Sequence, residues 1–593
     1  MAQDASPLRP RVVLIPNTLV SQGMGHLKRC ASAAEAVKEV ALWFCLDPVL
    51  AGGPTFDPEQ LQLWVGSLPT LAQWPDSWVA EVAVLDFQRT SPALLAWVAR
   101  RAKVVVGWDE GGKARLKFPF LVDSLPHQTL PAPNLKHPGL LGYPSGASVP
   151  GERFHRPIRR VVVSFGGADP LGLTVTFCRF WSQLADRPAW ELTVVRGPLA
   201  RFELAAVFPV VDNPPDLPRL LREADLVITS WGLTVLESLA AGTPVLLLNP
   251  SRYHDGLARA AGLARFGVLQ PRAKAFRDAL GLAPAASEAA CARLLPEPAS
   301  SSDYWGTFGG TPARCPVCGT TGHAVFARTP HKSFHRCRTC SLEFLSVYQL
   351  APKVYSDAYF FEDYQAQYGK TYLEDFAHIS SLGSERLSFV TKKLGIRPGI
   401  VFDVGCAFGP FLAAASKEGL RPFGVDIAAS AIRHVTQTLG FPAVQASWLD
   451  FVWQDAFPGA PQPDLLTMWY VIEHFSDLDS VLRKVSAVLA TGGTFAFGTP
   501  NGLGMTRRFR GTKFWDESPD DHFSVWNRRS ARRILRKYGF DILGFRNTGL
   551  HPERFPGIGP GRDWRYHVVA WLGKRLGWGD TFEVYAKKSR ELK

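Results

Sequence analysis

The sequence predicts an α/β protein of several open parallel-sheet lobes, with a small cysteine-stapled module between its two halves. Three observations carry that prediction. Short apolar runs end in glycine turns and pass into helix-forming stretches, as in RRVVVSFGGADPLGLT and GIVFDVGCAFGPFLAAASKEG. That strand–turn–helix rhythm belongs to doubly wound sheets. At 593 residues the chain is too long for one core, so about three to five domains are expected. Finally, CPVCGTTGHAVFARTPHKSFHRCRTC holds two Cys-x-x-Cys pairs with eighteen residues between them.

Composition narrows the function classes. Hydrophobic content of 46% with 20% charged residues describes an ordinary globular protein. The net charge of +13 suits phosphorylated or acidic substrates, but no nucleic-acid-binding signature accompanies it, so a nucleic-acid partner is not expected. The N-terminus lacks a signal pattern, and no apolar run approaches the ~18–20 residues that span a bilayer. A cytoplasmic protein without a transmembrane segment is the expectation.

Residues 1–145 read as a first lobe and 146–275 as a second. RVVLIPNT (11–18) is a strand, followed by Gly23, Gly25 and His26 at the start of an alanine-rich helix. Glycines there let a ligand approach the backbone, and a histidine over the cleft could serve as a general base. Strands VAVLDF and VVVGWDEGG end in Asp86 and in Asp109-Glu110, where open sheets place ligands. In the second lobe Gly166 and Gly167 form the first turn. Ser230, Gly232 and Thr234 precede a helix whose N-terminus could face a diphosphate. Glu237 lies one turn further along.

The GMGHLKRC, FGGADP and ADLVITSWGLTVLESLAAGTPVLLL stretches resemble the GT-B superfamily of nucleotide-sugar enzymes, and within it the UDP-sugar hydrolases of pseudaminic acid biosynthesis. The resemblance covers about residues 11–270. It implies that His26 activates water, that the second-lobe glycines hold the UDP diphosphate, and that Glu237 accepts from ribose. Ser230-Trp231-Gly232 replaces the usual glycine pair, and NPSRYHDGLARA replaces the usual Asn-Gln segment, with His254 and Asp255 near the expected sugar position. Glycosyl transfer, or a noncatalytic nucleotide-sugar-binding module, are the alternatives for this half.

Residues 276–311, rich in Ala, Pro, Ser and Gly, read as a linker with at most a short helix. The module at 312–350 follows. Its spacing suits Cys315, Cys318, Cys337 and Cys340 converging on one structural Zn²⁺. His323, His331 and His335 are then expected at the surface. Next comes a tyrosine-rich run with Tyr355, Tyr359, Tyr364, Tyr368 and Tyr372, read as core packing or a lid.

The last part, 351–593, has a strand ending at Asp403, a turn with Gly405 and Gly409, and a second strand ending in Asp426. Gly-x-x-x-Gly after an aspartate, followed by PDLLTMWYVIEHFSD and TGGTFAFGTPN, resembles class I S-adenosylmethionine methyltransferases, specifically the zinc-containing ones of sugar and polysaccharide pathways. That resemblance implies that Gly405 and Gly409 approach the methionine part of S-adenosylmethionine, that Asp426 holds its ribose, and that Asp450 lies beside adenine. His474, at a strand's carboxyl end, is the first candidate base and His522 the second. The expected whole is a bifunctional enzyme of surface-glycan biosynthesis, coupling UDP-sugar hydrolysis to methylation of a sugar or glycan.

Overall fold

The computed structural model describes residues 12–19, 25–35, 42–46, 55, 57, 69–126, 132–136, 143, 145–296, 313–348, 361–362, 364–558, 561 and 563–592. The chain divides into two compact units, Met1–Pro312 and Ala313–Lys593.

The first unit contains two seven-stranded sheets. In the first, β1 (Val12–Pro16), β2 (Leu42–Cys45), β3 (Thr70–Leu71), β4 (Ala80–Asp86), β5 (Ala102–Trp108), β6 (Phe120–Asp123) and β7 (Leu135–Lys136) lie in the order β3-β2-β1-β4-β5-β6-β7. All of its pairings are parallel. The second holds β8 (Arg160–Val163), β9 (Glu191–Arg196), β10 (Val210–Asp212), β11 (Leu226–Thr229), β12 (Val245–Asn249), β13 (Arg265–Val268) and β14 (Gln270–Pro271), ordered β10-β9-β8-β11-β12-β13-β14. Only β14 runs antiparallel. Both sheets reverse their order beside the first strand, and that switch point is where open sheets bind ligands. The strands are near-continuous apolar runs because helices cover both faces of a parallel sheet.

Two helices frame the site: α1 (Gly25–Glu35) after β1 and α2 (Leu233–Ala240) after β11. A third corrects the linker expectation. Residues Ala273–Leu294 form a 22-residue helix, α3. Its buried positions Phe276, Ala279, Ala283, Ser287, Ala290 and Leu294 recur at three- and four-residue spacing, a helical stripe. Phe276, Ala279 and Ala283 join the core under the second sheet, and Ser287 Oγ accepts from the Val245 amide at 3.0 Å. The second lobe therefore runs on through about residue 295.

The second unit is built on β18 (Ile400–Val404), β19 (Arg421–Asp426), β20 (Ala443–Gln445), β21 (Leu465–Trp469), β22 (Thr494–Pro500), β24 (Phe540–Thr548) and β25 (Thr581–Lys588), ordered β20-β19-β18-β21-β22-β25-β24. The last two strands pair antiparallel. Helix α4 (Pro410–Lys417) follows β18, and α5 (Arg528–Lys537) precedes β24. Helix α5 buries Ser530, Ala531, Ile534 and Leu535 while its arginines face outward.

A smaller antiparallel sheet, β15 (Val325–Thr329), β16 (Lys332–Arg336) and β17 (Glu343–Val347), carries the cysteine module. It is not a separate bead. Strand β23 (Ser524–Val525), from far along the chain, pairs with β17. Cys315, Cys337 and Cys340 share one core with Phe344, Trp526, Ile534 and Tyr538. His323 and His335 are buried, contrary to the surface expectation. The His335 ring stacks on Phe344 with centroids 4.9 Å apart, and burial pushes its pKa down to about 3.

Candidate functional site

In the first unit a cleft of about 780 Å³ opens between the two sheets. His26, on the first turn of α1, lines it. Its Nδ1 lies 2.7 Å from Oδ1 of Asp86, the last residue of β4. The pairing follows from register: β1 and β4 are parallel neighbours with Pro16 opposite Asp86, so the helix leaving β1 starts above the end of β4. Asp86 is fully buried. Burial alone would raise its pKa, but the charges of Arg29 and His26 outweigh that and hold the carboxyl well below the usual range.

Arg29 is the residue the sequence reading missed. Its guanidinium donates to Asp86 Oδ2 at 2.6 Å and to Asp109 Oδ2 at 2.7 Å, with only 6% of its side chain exposed. Asp109 also accepts from the Ser124 and Leu125 amides at 2.9 Å. Glu110 spends its carboxylate on the Thr90 and Gly112 amides, which makes it a loop brace. The signal available was a charged residue inside the apolar stripe Leu27, Cys30 and Ala31, all buried.

Gly166, Gly167, Ser230, Gly232, Thr234 and Glu237 line the same cleft. Gly232 caps α2 without any side-chain hydrogen bond; the Val235 amide donates to Gly232 O, and the Leu233 and Thr234 amides of the first turn are left to a ligand. The Trp231 amide donates to Asn249 Oδ1 at 3.0 Å, which fixes the turn. Glu237 Oε1 accepts from Lys28 Nζ at 2.5 Å, a pair that joins the two walls. His254 also lines the cleft, with Nδ1 2.8 Å from Ser251 Oγ. Burial, and then the nearby His26, push its pKa down to about 4, so it is neutral at physiological pH. Asp255 instead pairs with Arg259 and Arg265. Gly23 lies outside the described residues.

The second unit gathers its candidates at the carboxyl ends of β18, β19 and β21. Gly405 and Gly409 adopt φ of +74° and +82°, a region that L side chains rarely occupy. A Cβ on Gly405 would stand 2.4 Å from Val471 Cγ2, and one on Gly409 2.9 Å from Val435 Cγ2. Glycine is thus required by the loop's own packing. Asp426 accepts from the Ala407 amide at 2.8 Å and the Ala428 amide at 2.9 Å. Its carboxylate ties the glycine loop to β19, and the residue is half-buried. Asp403 differs. It is 3% exposed, accepts from Thr467 Oγ1 at 2.6 Å, and is pushed up to about 8 chiefly by burial. Its place is beneath the loop. Asp450 sits exposed on the turn that follows β20.

His474 and His522 come together, with ring centroids 4.6 Å apart and near-perpendicular. His474 Nδ1 lies 3.2 Å from Asp521 Oδ2. The carboxylate of Glu473 is fully buried, within 4.8 Å of both imidazoles, and burial lifts its pKa to about 7. Neither Asp521 nor Glu473 stood out in the sequence. Of the tyrosine run, Tyr355 and Tyr359 lie outside the described residues, and Tyr364 donates to Asp375 at 2.8 Å.

The four module cysteines bring their Sγ atoms within 4.8 Å of one another. Cys315 and Cys340 are 3.5 Å apart, Cys318 and Cys337 3.4 Å. Thiolates at ~2.3 Å around a tetrahedral Zn²⁺ stand nearly that far apart. Both pairs sit on tight turns, the Gly319 amide donating to Cys315 O and the Ser341 amide to Cys337 O. The donor set fits zinc. The donor set at 405–426 and 470–474 likewise fits S-adenosylmethionine: a half-buried carboxylate, a close-packed glycine loop and a polar turn share one sheet edge.

Of the comparisons with known proteins, the family model bears on the second unit. A family model described as a methyltransferase domain matches residues 377–544. The ubiquinone biosynthesis O-methyltransferase of Escherichia coli O157:H7 is 26% identical over 134 residues, 22% of this chain and 56% of that one. An uncharacterized protein of Methanocaldococcus jannaschii is 28% identical over 106 residues, 16% of this chain and 21% of the other. The chain thus spans about half the length, or less, of these relatives. A crystal structure of a SAM-dependent methyltransferase from Archaeoglobus fulgidus aligns with 39% of this chain and 100% of its own, at 18% identity and a TM-score of 0.28. Residues 377–544, which hold β18 to β22 of the second unit's main sheet, are a methyltransferase domain.

Proposed function

We propose that the chain is a bifunctional enzyme that hydrolyses a UDP-sugar in its first unit and methylates a sugar or glycan in its second. One observation carries the first activity: a histidine locked by a buried carboxylate faces the open N-terminus of a helix across one cleft. His26 takes a proton from water as the oxygen attacks the anomeric carbon, and Asp86 stabilises the imidazolium that forms. The nucleotide departs with the bonding pair. Its diphosphate charge is met by the α2 amides and the 166–167 turn, while Glu237 is placed for a ribose hydroxyl once Lys28 yields.

In the second unit, bound S-adenosylmethionine supplies an electrophilic methyl group. Asp426 orients the ribose, and the 405–409 loop shapes the floor of the site. His474, steadied by Asp521, removes the proton of the acceptor hydroxyl, with His522 beside it as a relay. Zinc held by the four cysteines fastens the module to the domain core and takes no part in the chemistry.

The test is incubation of the full chain with a panel of UDP-sugars and isotopically labelled S-adenosylmethionine, reading UDP release and product mass together. UDP release without an added acceptor, together with a labelled sugar product, supports the reading. Sugar transfer only to an added acceptor would replace hydrolysis with glycosyl transfer. No turnover across a broad panel would make the first unit a binding module.

A further inference from the structure

The helix Trp564–Leu576, α6, is firmly seated on one side and bare on the other. Asp563 accepts from the Tyr566 amide at its start, and Gly577 ends it in the left-handed region. Inward, Val569 and Gly573 are buried. A Cβ on Gly573 would lie 2.7 Å from Leu550 Cδ1, so that face is packed tight. Outward, Trp564 is 71% exposed, Trp571 55%, Leu576 55%, Val568 45% and Leu572 37%. Spaced at i, i+4, i+7, i+8 and i+12, they form a single apolar stripe along the whole helix.

Charge indicates what covers the stripe. No acidic residue occurs between Trp564 and Leu576, whereas Arg565, Lys574 and Arg575 are all exposed. The Arg565 guanidinium lies 5.8 Å from the Trp564 ring centroid, and that of Arg575 4.5 Å from the Trp571 centroid. Met505, which packs under Gly573, begins a short helix near which Arg508 and Arg510 are also exposed. Paired indoles with cationic groups at their edges match a headgroup layer, where rings sit at the acyl boundary and guanidinium groups meet phosphates. Thirteen residues rise only about 20 Å, so the helix would lie in the surface rather than cross it.

We propose that α6 is a membrane-surface helix that seats the second unit on an anionic phospholipid bilayer. The test is co-sedimentation of the full chain with vesicles of phosphatidylcholine alone and with added phosphatidylglycerol, at low and high salt. The expected result is retention on phosphatidylglycerol vesicles that falls with salt. Trp564→Ser with Trp571→Ser should weaken retention by about tenfold or more, by loss of the inserted apolar area. Arg565→Gln with Arg575→Gln should weaken the preference for anionic vesicles while leaving the apolar stripe intact. Equal recovery in the supernatant with every vesicle, or retention unchanged in both double variants, would overturn the proposal. Self-association of the lipid-free chain that the Trp variant abolishes, without vesicle binding, would overturn it in favour of a second copy on the same stripe.

Discussion

Each unit holds a histidine against an aspartate, and the two pairs are built to different tolerances. His26 and Asp86 stand 2.7 Å apart, with the aspartate fully buried and gripped by an arginine that a second aspartate also holds. His474 and Asp521 stand 3.2 Å apart, the histidine a quarter exposed, beside a second histidine and a buried glutamate. A base that must orient water while a nucleotide departs gains from rigid tethering, because misplacement costs rate steeply. A base that must meet an acceptor hydroxyl gains from a cluster able to pass a proton along. On the proposed function, the rigid pair would carry folding stability as well as chemistry, and the looser one chiefly chemistry.

Thermal unfolding should expose that asymmetry first. Asp86→Ala strands the buried Arg29 charge with half its partners, and breaking such a pair costs roughly 3–5 kcal/mol. Asp521→Ala, at a partly exposed pair, should cost about 1 kcal/mol or less. Calorimetry resolving the two units should show a large drop in the first transition for one variant and a small drop in the second for the other. Equal losses would abolish the distinction.

The second unit's own rigidity should reside in its cysteine module. Purified protein should carry about one zinc per chain. Cys337→Ser should lower the melting temperature of the whole second unit, since three of the four cysteines share the domain core. Loss of zinc with an unchanged second transition would show the module to be detachable.

Cofactor affinity comes next. On the proposed function, Asp426→Ala would remove two charge-assisted hydrogen bonds to the ribose, each worth roughly 1.5–3 kcal/mol. Titration calorimetry should show affinity for S-adenosylmethionine falling at least about tenfold. His474→Ala should leave that affinity in place, and a matching loss would make His474 structural.

A further effect is a difference of sign with pH. His254 has its pKa pushed down to about 4, so its share of first-unit stability is present above its unfolded pKa of 6.5 and lost as pH falls towards 4. Glu473 is pushed up to about 7, so its share is present below its unfolded pKa of 4.5 and lost as pH rises through 7. Glu473→Gln should therefore stabilise the second unit at pH 8 and change little at pH 4.5, as melting at the two pH values would show.

Much of this was legible in the sequence where the signal is local. Strand–turn–helix units, the Cys-x-x-Cys spacing and the glycine loop after Asp403 all declare themselves within a few residues. What stayed hidden depends on distant register. Asp86 was visible as a strand end, but its partnership with His26 needs β1 beside β4. Arg29 draws its meaning from two aspartates far along the chain. The pairing of β17 with β23 joins segments with no local cue, and it turns a supposed bead into part of a domain. Helix α3 was misjudged because alanine and serine make its stripe shallow, and Pro284 lies inside it. The burial of His335 follows from β16 being covered on both faces, where Lys332, Ser333 and Phe334 are buried as well.

The most direct measurement is a mass-resolved assay of both products on wild type, His26→Ala and His474→Ala. His26→Ala should lose UDP release by about 10²–10⁴-fold, the usual worth of a positioned base, and keep methyl transfer to a supplied acceptor. His474→Ala should lose methyl transfer and keep UDP release. Loss of both products in either variant, or wild-type rates of both in each, would contradict two separate sites each run by its own histidine.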